Sequence, residues 1–122
     1  MTAALSARGS RSYHAGRCAE DAVARHYQSG GRSIAATRWR CPYGEIDVIA
    51  RDGDEVIFIE VKQSRRHDDA VLHLTPQQMG RIVTAASVFL GGEPLGQATP
   101  VRFDLATVDG MGRIAVLEGA FA

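Results

Sequence analysis

One stretch constrains this chain more than any other: Gly44-Glu45-Ile46-Asp47-Val48-Ile49-Ala50-Arg51, then Asp52-Gly53-Asp54, then Glu55-Val56-Ile57-Phe58-Ile59-Glu60-Val61-Lys62. Both arms are rich in Ile and Val and alternate in polarity, and an acidic-Gly-acidic cluster separates them. This is the pattern of a β-hairpin. Side chains of a strand point to alternate faces. Ile46, Val48 and Ala50 therefore share a face with Ile57, Ile59 and Val61, wholly apolar and expected to be buried. The opposite face carries Glu45, Asp47 and Ile49 on one arm and Val56, Phe58, Glu60 and Lys62 on the other. It is apolar near the turn and charged at the far end.

Turn length decides how close those charges come. If Gly53 and Asp54 form a two-residue loop, Asp47 lies directly opposite Glu60; if Asp52 and Gly53 form it, Glu60 is a diagonal neighbour. Either way Asp47, Glu60 and Lys62 share one face within about 5–8 Å. A three- or four-residue loop breaks this parity unless a bulge restores it. Like charges side by side on paired strands are destabilising, so the pair calls for a cation. Mg²⁺ suits one or two carboxylates with water and phosphate oxygens. Lys62 then stands where it can orient or deprotonate a nucleophile, or stabilise developing charge. The alternative is a hydrated sheet end with Glu60 and Lys62 as a surface pair. Lys62 is the only lysine among 14 basic residues. Lysine differs from arginine in being a compact point charge whose pKa shifts readily, which favours a chemical role for it.

The string Trp39-Arg40-Cys41 … Gly44-Glu45-Ile46-Asp47-Val48-Ile49-Ala50-Arg51 followed by Phe58-Ile59-Glu60-Val61-Lys62 resembles the YraN-like bacterial proteins. These look like relatives of the archaeal Holliday-junction resolvases in the PD-(D/E)XK nuclease superfamily. The resemblance covers roughly residues 13–118 and implies an α/β (α+β layered) domain: a mixed central sheet with an αβββαβ restriction-endonuclease-like core and a further C-terminal strand. It also implies Asp47 and Glu60 as ligands of Mg²⁺ or Mn²⁺, Lys62 as the catalytic lysine, and DNA as substrate. Family members often follow Glu-Val-Lys with a small residue and Arg, where this chain has Gln63-Ser64-Arg65.

Length and composition bound the rest. A chain of 122 residues, 45% hydrophobic and 23% charged, supports one globular domain with one core. The formal charge is zero, yet residues 1–40 carry seven arginines against Glu20 and Asp21, and the remainder is acidic. A basic segment flanking an acidic metal site suits a phosphodiester-binding enzyme; a basic segment without a partner fits equally. Cys18 and Cys41 are too few and too far apart for a disulfide scaffold or zinc motif, and are read as reduced thiols of a cytoplasmic protein. No apolar run is long enough to span a membrane. Residues 1–12, dominated by Ser, Gly, Ala and Arg, read as a disordered leader before a single domain over 13–118.

Tyr13 to about Gln28 reads as a helix with Gly16, Ala19, Val23 and Tyr27 on one face. Glu20 lies about 40° from the centre of that face at 100° per residue, where a carboxylate is costly unless paired or metal-bound. Resolvase-like nucleases place a metal-site glutamate on this helix, a role the resemblance gives to Glu20; pairing with Arg17 or Arg25 is the alternative. Gly30-Gly31 ends the helix. Arg32 to Arg40 is a strand with Arg38 and Arg40 on one face and Trp39, a core residue or a stacking platform, on the other. Cys41 to Gly44 turns into the hairpin and can present Tyr43 and Glu45 beside the site. Gln63 to Leu74 shows no period and is expected to be a loop, with Arg65 and Arg66 in reach of a phosphate backbone.

Thr75-Pro76-Gln77-Gln78 is a capped helix start, followed by Met79, Ile82, Val83, Ala86, Phe89 and Leu90 at helical spacing. Gln77 and Gln78 sit where a phosphate can bind. After a loop, Val101 to Val108 is a strand with Val101, Phe103 and Leu105 inward, and Arg113 to Leu117 is the last. The leading expectation is a metal-dependent endodeoxyribonuclease using Glu20, Asp47, Glu60 and Lys62, with Arg38, Arg40, Arg65 and Arg66 as candidate DNA contacts and a homodimer as the assembly. The competing one is a nuclease fold that binds nucleic acid or protein without hydrolysis.

Overall fold

The structure, a computed structural model, describes residues 3–122, with side chains from Gly16 onward; of the leader expected over residues 1–12, residues 1–2 lie outside the described residues, and residues 3–12 belong to the first helix, which begins at Ala3 and not near Tyr13. Helix α1 (Ala3–Ser29) leads into β1 (Ser33–Cys41), β2 (Gly44–Asp52) and β3 (Glu55–Gln63). Helices α2 (His67–Leu72) and α3 (Pro76–Leu90), with a 3-10 turn at Gly96–Ala98, precede β4 (Val101–Val108) and β5 (Ile114–Leu117). The five strands form one sheet in sequence order. Neighbours are antiparallel except β3 and β4, which run parallel because α3 carries the chain back across the sheet. This is the mixed α/β layer the resemblance implies, with α1 on one face and α3 on the other.

The hairpin takes the two-residue Gly53-Asp54 turn, with Gly53 at φ +60°, and pairs Asp52 with Glu55 through Val48 with Ile59. Val48, Ala50, Ile57 and Ile59 pack beneath Ala19, Val23, Ala24 and Tyr27 of α1. Ile49, Val56 and Phe58 pack beneath Ile82, Ala85, Ala86 and Leu90 of α3. Phe58 stacks on Phe103 at 5.4 Å and meets Phe89 edge-on at 5.8 Å. Thr75 caps α3 reciprocally with Gln78, as its sequence signals: the Gln78 amide donates to Thr75 Oγ1 at 3.2 Å and the Thr75 amide to Gln78 Oε1 at 3.3 Å. Trp39 is core, edge-on to Phe89 at 5.5 Å.

Four expectations need correction. Gln63 to Leu74 is not one loop: β3 runs on to Gln63, and His67–Leu72 is a helical turn that buries Ala70. Val101 is 38% exposed, while Phe103 and Leu105 are buried. On α3 the buried position is Ala85, and Val83 lies 37% exposed. Ile46 does not join Val48 and Ala50; it packs with Ile49 and Trp39 under α3. Two residues three apart on one face mean that strict alternation fails between them, and this irregularity shapes the site.

Candidate metal centre

The alternation fails in two strands at once. On β1, Ala36 and Trp39 both pack toward α3, and they pair with Ile49 and Ile46 of β2. Between them, Arg38 has a left-handed backbone (φ +50°), a conformation that costs a non-glycine residue on the order of 1–3 kcal/mol. The twist turns Arg38 toward α1, where its guanidinium donates to Glu20 Oε2 at 3.2 Å and Asp21 Oδ1 at 3.3 Å. Asp47, between Ile46 and Val48, arrives on the same side. One carboxylate oxygen each of Glu20, Glu45 and Asp47 falls within 4.8 Å of the others.

Glu60 stands next to Asp47 but outside that trio, and Lys62 Nζ lies 3.5 Å from its Oε1. Both side chains are mostly buried, at 13% and 18% exposure. At this end the β2–β3 ladder gives way to a side chain: beyond Val48 and Ile59, the Val61 amide donates to Asp47 Oδ2 at 2.8 Å. The hairpin forks here, and the fork is where the carboxylates gather.

Burial, and after it the neighbouring Glu60 charge, pushes the Asp47 carboxyl up to about 7; the Val61 amide opposes the shift. Burial raises Glu60 as well, against the pull of Lys62. Glu20 is raised by burial and by Asp47, and lowered by its bond to Arg38. Asp47 and Glu60 crowd each other, so holding both ionised side by side is costly. Four carboxylates with one lysine and one arginine form an oxygen-rich, under-neutralised donor set. A hard divalent cation such as Mg²⁺ or Mn²⁺ fits this chemistry. Glu20, Glu45 and Asp47 would hold it, with Glu60 alongside.

Of the residues singled out in the sequence, the structure brings Glu20, Asp47, Glu60 and Lys62 to one end of the sheet, and Glu20 pairs with Arg38. Glu45 is the ligand-type residue given least weight; Arg40 contacts it at 3.2 Å. Its signal lies in the turn, since Gly44, at φ +148°, opens β2 immediately before it. The four arginines divide. Arg38 faces the acidic centre, Arg40 is 78% exposed beside Glu45, and Arg65 and Arg66 are exposed, without an ion pair among the described residues. No helix among the described residues is long and apolar enough to cross a membrane.

Fold and site together define a mixed-sheet α/β domain that collects carboxylates and a single lysine at the open end of a β-hairpin. A family model described as "Uncharacterised protein family UPF0102" matches residues 19–108, and the chain belongs to this family. That agrees with the resemblance carried by Trp39 through Lys62. A UPF0102 protein of Cereibacter sphaeroides is 59% identical over 114 residues, covering 93% of this chain and 97% of the relative. One from Ruegeria pomeroyi is 52% identical over 118 residues, covering 97% and 96%, and one from Dinoroseobacter shibae 42% over 117 residues, covering 96% and 87%.

Proposed function

We propose that the protein is a divalent-metal-dependent endodeoxyribonuclease of the PD-(D/E)XK type. One observation carries the reading: Glu20, Glu45 and Asp47 converge at a fork in the sheet, with the Glu60–Lys62 pair directly beside them. When bound, a divalent ion supplies Lewis-acid activation of water and phosphate. The chain's own groups do the rest. Glu20, Glu45 and Asp47 would hold the ion through their carboxylate oxygens, with Glu60 beside them. Lys62 Nζ, held by Glu60, places a point charge where a non-bridging phosphate oxygen gains negative charge during attack by water. Burial of Glu60 and Lys62 keeps that interaction poorly screened. A domain of this size grips little DNA alone, and a homodimer presenting two such sites suits branched DNA.

The test is cleavage of supercoiled plasmid and of a four-way junction in Mg²⁺ and in Mn²⁺. Lys62→Ala and Asp47→Ala are each expected to lose about 10²–10⁴-fold in rate while still binding DNA. Equal cutting by parent and variants, or no cutting by the parent with either metal, overturns the reading. A second reading is a binding module without hydrolysis. It is favoured by the contacts that already partly neutralise the carboxylates, Arg38 on Glu20 and Lys62 on Glu60. It is the one left standing if the parent binds DNA and never cuts it.

A further inference from the structure

Three adjoining hollows lie between the β1–β2 turn and α3, and Arg81 borders all of them. The smallest, about 140 Å³, contains Glu45, Glu60 and Gln78 and so opens onto the acidic centre. A groove of about 460 Å³ lies beside it, lined by Tyr43, Gln77, Gly80, Arg81 and Thr84. The third, about 480 Å³, continues past Tyr43 to Arg40.

Several features of this groove lack a role in folding. Tyr43 is 57% exposed at a turn, so its ring contributes little to the core. Gly80 sits inside α3, where glycine costs about 1 kcal/mol relative to alanine. A Cβ there would meet nothing within 4 Å, so no close packing demands its absence. Its effect is to leave the helix surface open beside Tyr43. Arg81 is exposed and makes no ion pair among the described residues, whereas Arg32, Arg38, Arg40, Arg51, Arg102 and Arg113 all do.

We propose that this groove holds an unpaired nucleotide of a DNA strand, its base on Tyr43 and its phosphate on Arg81, with the neighbouring phosphate led toward Glu60. The placement relative to a cleaved bond rests on the nuclease reading; binding of the strand does not. An aromatic face takes any base by stacking, at about 1–3 kcal/mol each. A guanidinium with no ion pair among the described residues suits a phosphate, and the Gln77 amide offers both a donor and an acceptor to a base edge. A ring set in a concavity is accessible to a base out of its helix and inaccessible to one stacked in a duplex. The groove therefore selects single-stranded, gapped or branched DNA.

The test is fluorescence anisotropy of labelled oligothymidylate, and of a blunt duplex, in EDTA so that nothing is cut. Tyr43→Ala and Arg81→Ala are expected to weaken binding of the single strand about tenfold, Tyr43→Phe to retain it, and the duplex affinity to move by about twofold at most. Gly80→Leu fills the groove and is expected to weaken the single strand similarly with Tm held or raised, which separates occlusion from misfolding. Failure of the parent to bind the oligomer, unchanged binding by the variants, or equal weakening of the duplex each overturns the proposal. Cleavage in Mg²⁺ on the same preparations separates the two readings. Single-strand binding through Tyr43 without any cutting leaves the groove standing and removes the nuclease. Cutting with variants that bind like the parent does the reverse.

Discussion

Asp104 and Asp47 are both aspartates set in strands against helix α1, and their surroundings are opposite. Asp104 is fully buried and every neighbour donates to it: Tyr27 Oη at 2.8 Å, Arg102 Nε and Nη2 at 2.8 and 3.0 Å, and the Gly119 amide at 3.1 Å. It ties α1, β4 and the C-terminal segment together, and burial with this hydrogen bond pushes the Tyr27 hydroxyl far up. Asp47 receives the Val61 amide and is otherwise crowded by Glu20, Glu45 and Glu60. Burial alone therefore says little about what a carboxylate is for; the balance of donors around it says more. A satisfied carboxylate holds the fold, and a crowded one costs the fold stability unless its charge is offset.

The contrast can be broken by experiment. Asp104→Ala leaves the Tyr27 hydroxyl and the Gly119 amide without their acceptor and takes from part-buried Arg102 the nearest of its three carboxylate partners, and is expected to destabilise by about 3–5 kcal/mol in urea unfolding; a loss near zero would erase the structural role given to it. Asp47→Asn is expected to act in the other direction. A carboxyl whose folded pKa is raised contributes fully while both states are protonated, and loses that contribution as pH climbs from the unfolded value near 4 through the folded value of about 7. At pH 8 the amide is thus expected to be more stable than the parent, and its Tm should lose the parent's decline between pH 4 and 7. A variant less stable than the parent at pH 8 would show that Asp47 is a structural residue like Asp104.

Metal sharpens the same distinction. Mg²⁺ at a hundred times its Kd should stabilise the parent by about 2.7 kcal/mol and remove most of the acidic-site penalty. Asp47→Asn and Glu20→Gln should respond far less, and Asp104→Asn, if folded, should respond as the parent does. Calorimetric titration reads the binding directly. The smallest effect is Tyr27→Phe, which removes one of four donors to Asp104 and is expected to cost about 1–2 kcal/mol by thermal unfolding, with the Mg²⁺ response unchanged.

Much of the scaffold was legible because local and tertiary preferences agree. The Gly53-Asp54 turn, the Thr75–Gln78 cap and the run of β4 each carry their own chemistry. The centre was legible in outline through Asp47, Glu60, Lys62 and the inward lean of Glu20. What escaped depends on contacts distant in sequence. Asp104 alternates with inward Phe103 and Leu105, which reads as outward. Here both sheet faces are covered by helices, so outward still means buried, and the Tyr27 and Arg102 partners cannot be foreseen from alternation. Alternation puts Ile46 on the face opposite to the one it occupies, because nothing in its neighbours marks the irregularity. The left-handed residue is Arg38, on the adjacent strand, and an arginine carries no sign of that conformation.

The fork beyond Val48 and Ile59 has one further consequence. On its β4 side, β3 is laced by parallel pairing as far as Gln63 with Val108, whereas on its β2 side the Val61 N–H is satisfied by a carboxylate oxygen. A cation recruiting that oxygen competes directly for this one amide. The Val61 resonance in a nitrogen–proton correlation spectrum thus becomes a built-in indicator of occupancy, because the backbone itself registers the event.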